Sequence, residues 1–311
     1  MIRFDGFGID DMERYAGYFR RCAQLPSDLS PLIILAWRLL SEESGEMEVM
    51  RGYAANLCWH RVAEDGKVYW LAPVGDWDSV DWRKSFDEYV PAGTNFSVVP
   101  EHLVNLWREA LGDDIEIEED RDHWDYILSM EQLHEAAGKK YKHFRNERRA
   151  FEGNNDYTVE EFSPSVFDEL REFHCRAQAD IESRAEQKDT ANFFESALLF
   201  ILDSWKEYRE AFSTLYGFLL KVNGKCVAYS INEQVTDSHA IGIFAAADYD
   251  YKGVNKFAYW LDAKRNLERG IESVNIIDVG EPSFRYVNEH LATAEMLKKF
   301  NVICCEENHD Q

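Results

Sequence analysis

The spacing of apolar positions divides this chain into short segments whose period switches between helical and extended. Residues 10–24 carry Met12, Tyr15, Tyr18 and Phe19 at helical spacing, which predicts an amphipathic helix. A second apolar stretch, with Trp37 and Leu40, follows Pro31. Residues 53–62 and 67–72 alternate as strands on either side of Asp65-Gly66, and Asp-Gly between two such runs predicts a hairpin. Residues 80–89 read as a helix, 96–99 as a short strand and 100–111 as a helix with Pro100 at its first turn. The acidic stretch 113–122 reads as a solvated strand or connector.

The second half shows a cleaner succession. Ser163-Pro164 opens a helix reaching about residue 178, with Ser163 as its N-cap. Residues 190–209 place Phe193, Phe194, Ala197, Leu198, Ile201 and Trp205 on one stripe. Strands over 215–222 and 225–233 meet at Asn223-Gly224, a strong two-residue hairpin signal. A third strand, 240–247, leads through a turn with Gly253 into a long helix, 254–269, closed by Gly270. A strand at 274–279, a short helix at 282–290 and a strand at 302–304 complete the series. Two helices, a three-strand meander, a turn into a long helix, then strand, helix and strand is the element order of the GNAT acyltransferases. The first half resembles a shorter copy. The expected architecture is therefore α+β, with two GNAT-like (acyl-CoA N-acyltransferase-like) lobes of mixed sheet flanked by helices. They are expected at 1–122 and 161–311, with 123–160 as a linking segment that carries a basic helix.

Composition narrows the class. A length of 311 residues suits two domains, and 45% hydrophobic residues supply their cores. The longest apolar runs, 32–37 and 197–202, fall far short of the roughly 20 residues of a membrane span. No signal peptide is read at the N-terminus, so a cytoplasmic protein is expected. Six cysteines without a C-x-x-C spacing suggest reduced thiols and no metal site. The net charge of −24 disfavours long-range attraction to nucleic acid or anionic lipid. Transfer RNA is thereby a disfavoured partner.

One block is more specific. Trp124-Asp125-Tyr126-Ile127-Leu128-Ser129, Leu133, Gly138-Lys139-Lys140-Tyr141, Arg145-Asn146 and Phe151 resemble the phosphatidylglycerol lysyltransferase C-terminal domain family. The likeness extends to Leu71-Ala72-Pro73-Val74-Gly75, to the hairpin at 222–230 and to Asn275-x-x-Asp278-x-Gly280. The resemblance implies a tandem GNAT-like fold related to enzymes that pass an aminoacyl group from transfer RNA to an amine or hydroxyl. The implied donors are acyl-CoA or aminoacyl-tRNA, and the expected function is acyl or aminoacyl transfer to a small amine or peptide in a groove between two lobes. The chain also departs from the family pattern, with Ala245-Ala246-Ala247-Asp248 where Glu-Lys-Ala-Asp is usual. It likewise carries Ile276-Ile277 where Arg-Glu is usual, and Tyr286-Val287-Asn288-Glu289 at the end. Those apolar replacements support a second reading, a non-catalytic ligand-binding or regulatory module on the same scaffold.

The candidate site residues follow. Lys139, Lys140, Lys142, Arg145, Arg148 and Arg149 cluster with Asn146 against a single acid, Glu147. Such a cluster suits a small anionic ligand or pairs internally with carboxylates. Lys140, Lys142, Arg145, Asn146 and Arg149 are taken as its binding set. Gly253 stands where a GNAT helix N-terminus would cradle a pyrophosphate, although only this glycine matches the usual motif. Asn275 and Asp278 lie on or just past a strand, where Asp278 could act as a general base or cap the following helix. His174 and Cys175, adjacent on a helix, face apart and make no nucleophile pair.

Overall fold

The computed structural model describes residues 2–45, 47–64, 66–184, 189–277 and 291–305. Contacts group them into two compact units, 2–125 with 296–305, and 126–276 with 291–295. The sequence pattern suggests continuous lobes split by a linker at 123–160; residues 126–160 of that segment fall in the second unit. The last strand among the described residues belongs to the first.

In the first unit the order is β1 (Asp5–Gly6), α1 (Met12–Phe19), α2 (Pro31–Ser44), β2 (Met47–Ala54), β3 (Leu57–Glu64) and β4 (Lys67–Gly75). Then come α3 (Trp82–Tyr89), β5 (Asn95–Pro100), α4 (Glu101–Leu111) and β6 (Ile115–Glu119). The helix starts are locally encoded, as at α3, where the Asp81 carboxylate accepts from the Lys84 N–H at 3.1 Å. The run 53–62, read as one strand, is two. β2 and β3 meet at Ala55-Asn56, whose φ angles of +52° and +58° make a tight reversal.

The second unit contains β7 (Asp125–Ser129), α5 (Met130–Glu135), α6 (Lys142–Asn154), β8 (Tyr157–Glu161), α7 (Phe167–Arg184) and α8 (Asp189–Ser204). The meander β9 (Leu215–Val222), β10 (Lys225–Gln234) and β11 (His239–Ala247) leads to α9 (Val254–Glu268), β12 (Ser273–Ile277) and β13 (Thr293–Leu297). The strand β14 (Lys299–Cys304) returns to the first unit's sheet. The Asn223-Gly224 hairpin forms as expected, with both φ angles positive. The helix expected at 282–290 lies outside the described residues.

Two seven-stranded sheets result, ordered β1-β2-β3-β4-β5-β14-β6 and β13-β7-β12-β11-β10-β9-β8. Each repeats one device. A meander (β2-β3-β4, or β9-β10-β11) feeds a helix, which returns the chain to a parallel strand beside the last meander strand. Parallel neighbours need such a crossover, because a tight turn can join only antiparallel strands.

The first unit's sheet encloses an aromatic core of Trp59, Trp70, Trp82, Phe86, Phe96 and Trp107, with Phe96 and Trp107 centroids 4.8 Å apart. In the second, α6 and α9 press Phe151, Phe257 and Leu261 onto Phe218, Leu220 and Val227 of β9 and β10. Each such large side chain contributes about 1.5–3 kcal/mol on burial. Among the described residues no helix is long and apolar enough to cross a membrane.

Candidate functional site

In both units the strand before the crossover carries one extra residue where its parallel neighbour leaves it. On β11 the pairing with β10 jumps from Ile231↔Phe244 to Asn232↔Gly242, so Ile243 bulges. The β11–β12 ladder runs from His239↔Ser273 to Gly242↔Ile276 and stops at that bulge. On β4 the extra residue falls in Ala72-Pro73, just past the last β4–β5 pair, Leu71↔Ser97. Pro73 suits a bulge because it donates no ladder hydrogen bond. The two units differ in what fills the parting point. In the first it is aromatic, with Trp70 and Phe96 centroids 5.7 Å apart. In the second the fully buried amide of Asn275 lies on β12, paired in register with Ile241. Asp278 lies outside the described residues.

The basic segment runs from Lys139 into α6, and its cations divide into two groups. Arg145 donates to the carbonyls of Ala136 and, at 2.8 Å, Gly138, closing the C-terminal end of α5. Arg148 stacks over the Trp260 ring at 4.3 Å and pairs with Glu152 at 3.6 Å. Lys140, Lys142, Asn146 and Arg149 are exposed. Arg145 thus ties α6 to the end of α5 and Arg148 ties it to α9, while the second group faces solvent. Replacing Arg145 with alanine should lower stability by about 1–2 kcal/mol, since charged hydrogen bonds to carbonyls are lost from a partly exposed site. Arg149→Ala should stay within about 0.5 kcal/mol. Urea denaturation distinguishes them, and equal losses would contradict this division.

Gly253 begins α9 at φ +83°, and a Cβ placed there would stand 2.3 Å from the Glu147 carbonyl oxygen of α6. The glycine therefore allows α6 to approach α9. A carbonyl oxygen beside the turn, with Asp248 and Asp250 just before it, makes poor surroundings for a pyrophosphate.

Several residues had no sequence signal. Asp262 on α9 accepts from Asn232 Nδ2 at 2.9 Å (Oδ1) and from Asn266 Nδ2 at 3.0 Å (Oδ2), and Ser230 hydrogen-bonds to it as well. Burial pushes its carboxyl above the usual range, against the pull of these three donors. Tyr216 donates to Asn266 Oδ1, and its own phenol is pushed up by burial and by Asp262. Of these groups, Asp262, Asn232 and Tyr216 wall a cavity of about 270 Å³ on one face of β9 and β10. The only local hint was the i,i+4 spacing of Asp262 and Asn266.

His174 is buried, its Nδ1 2.7 Å from the Tyr229 hydroxyl, so it belongs to the core. All six cysteines are free, and burial pushes the Cys22, Cys226 and Cys304 thiols up to about 12, which leaves them unreactive. Among the described residues no group of three His, Cys, Asp or Glu is arranged to hold a metal ion.

Mixed sheets built on a meander, a helical crossover and a parallel strand that parts at a bulge define a GNAT-like, acyltransferase-type fold. The family model for the phosphatidylglycerol lysyltransferase C-terminal region matches residues 39–294, and the chain belongs to that family. It is similar to a conserved protein of unknown function from Bacteroides thetaiotaomicron, at 19% identity and TM-score 0.82, covering 98% of this chain and 100% of the other. It is also similar to the C-terminal domain of a putative lysylphosphatidylglycerol synthetase from Agrobacterium fabrum, with 16% identity, TM-score 0.62, and 94% and 91% of the two chains covered. The L-PGS of Bacillus licheniformis matches at 14% identity and TM-score 0.60, over 96% and 92%. No curated protein matches the chain by sequence. The block that carried the family likeness is largely architectural, with Asp125, Tyr126, Leu133 and Phe151 buried and Arg145 bonded to backbone.

Proposed function

We propose that the second unit transfers an aminoacyl group from an aminoacyl ester, such as aminoacyl-tRNA, to a small amine. The observation that carries this is the parting of β11 and β12 at Ile243 beside the buried Asn275 amide. Two neighbouring parallel strand ends offer backbone donors to an acyl carbonyl, and an amide beside them can orient it. In the step, the amine nitrogen forms a C–N bond to the acyl carbon. The ester C–O bond breaks, and the proton lost by the amine passes to the departing ribose hydroxyl. Asp278, three positions after Asn275, is the proposed relay for that proton.

The aminoacyl ester is preferred to acyl-CoA because the Gly253 turn is taken up by the Glu147 carbonyl. An ester donor needs no pyrophosphate cradle there. The exposed Lys140, Lys142, Asn146 and Arg149 are the proposed contacts for the donor's phosphates. Because cations meeting phosphates release counterions, that contact should weaken as salt rises. The protein is proposed to act in the cytoplasm. The non-catalytic alternative rests on Ala245-Ala246 and Ile276-Ile277, apolar where the family usually carries charge.

The test supplies labelled aminoacyl-tRNA or, separately, labelled acyl-CoA, together with a pool of small amines. Label should enter an amide from the aminoacyl donor, and Asn275→Ala should slow this at least tenfold, about 1.4 kcal/mol, with circular dichroism unchanged. Transfer from neither donor would sink the enzymatic reading in favour of the binding module.

A further inference from the structure

We infer that the cavity walled by Tyr216, Asn232, Asp262, Arg265 and Arg269 binds a small zwitterionic amino acid, its ammonium group on Asp262 and its carboxylate on Arg269. Its role as the acceptor amine rests on the transferase reading above; the binding itself does not.

An ionised carboxylate has about four acceptor sites, and Asp262 uses three of them on Asn232, Asn266 and Ser230. All three are neutral donors. A half-buried carboxylate held by neutral groups keeps most of its desolvation cost, and a cationic ligand would offset it. The surrounding amides are themselves fixed. Tyr216 donates to Asn266 Oδ1, which turns Asn266 Nδ2 toward Asp262, where it also reaches the Asp262 backbone carbonyl at 2.9 Å. Asn232 is 1% exposed and lies in register with Gly242, the last β11 residue before the bulge. The cavity therefore reaches the level at which β11 and β12 part.

The cations of the wall have different duties. Arg265 is engaged by Glu161. Arg269 is exposed and lies over the Tyr216 ring at 4.1 Å, a stacking that leaves the guanidinium edge available to a carboxylate. Arg269 caps the C-terminal end of α9, seven positions after Asp262 and about 10.5 Å further along the axis, and the long arginine side chain shortens the gap. A volume of about 270 Å³ lies just below the usual range for ligand pockets and suits an amino acid better than a nucleotide. Glu268 on the same wall disfavours an acidic side chain.

Calorimetric titration of the full chain, without any donor, tests this. The ligands are L-alanine, L-lysine, L-glutamate, β-alanine and γ-aminobutyrate, with n-butylamine and butyrate as single-charge controls. At least one neutral or basic zwitterion should bind tenfold or more tightly than both controls, and L-glutamate should bind more weakly. Asp262→Asn should weaken that binding at least tenfold. The exposed Arg269→Gln, which leaves the core intact, should erase the preference for the zwitterion over n-butylamine. No zwitterion binding at millimolar concentration, or undiminished binding by both variants, would overturn the inference. Amide transfer to other amines without amino-acid binding would also overturn it while leaving the transferase reading standing. Amino-acid binding without transfer would support it and count against that reading.

Discussion

Replacing Lys299 with methionine is expected to destabilise the first unit by about 3–5 kcal/mol. The Lys299 side chain is fully buried, and its ammonium donates to Asp125 Oδ1 at 2.7 Å and to Asp28. Asp125 is equally buried and also accepts from the Ser27 N–H at 2.8 Å and the Ser27 hydroxyl at 2.6 Å. Methionine fills the space of the lysine stem but leaves the Asp125 carboxylate without its cation. Burial already pushes the Asp125 carboxyl up, and Lys299 is the strongest pull in the other direction. A Lys299→Met, Asp125→Asn double variant should recover most of the loss, because the uncompensated charge is then gone. Urea midpoints of the three proteins are the measurement, and a single-variant loss under about 1 kcal/mol would refute the ion-pair account. The sign of the pH dependence follows from the same pair. Despite its burial, the two carboxylates raise the Lys299 pKa above its ordinary 10.5, so its contribution is complete below that value and is lost only as pH rises through the folded-state pKa.

Gly253→Ala should cost about 2–4 kcal/mol, and Gly138→Ala only about 1 kcal/mol. Both glycines have φ +83°, so the strain of a left-handed side chain is common to the pair. Only Gly253 adds a clash, with the Glu147 carbonyl oxygen at 2.3 Å and its carbon at 2.9 Å, both backbone atoms that cannot swing away. A Cβ on Gly138 meets nothing within 4 Å. The difference in thermal stability between the two variants therefore measures how closely α6 packs on α9. Equal effects would mean that the α6–α9 contact yields easily, and would reopen the Gly253 turn to a phosphate.

Most of the second unit's meander and crossover was legible from short-range signals. Asn223-Gly224 specified its hairpin because two consecutive positive φ angles suit those residues and few others. Gly253 and Gly270 bracketed α9 for a related reason. The β2–β3 hairpin was missed because Ala55, with φ +52°, carries no turn signal in its side chain. The bulges were equally silent, apart from Pro73, since an extra residue is defined only against a neighbouring strand.

What the sequence determined by itself was the meander, the long helix and the crossover of the second unit, several elements of the first, and the family. Tertiary structure alone decided which strands became neighbours and which charges met. β14 lies between β5 and β6, roughly two hundred positions away in the chain, and nothing in its own alternation names those partners. Lys299 reaches Asp28 across 271 positions, and Tyr216 reaches Asn266 across 50. Periodicity tells a segment which of its faces to bury. The partner it is buried against is chosen by packing and by the cost of leaving any buried charge or amide unpaired, and both depend on residues that meet only in the folded chain.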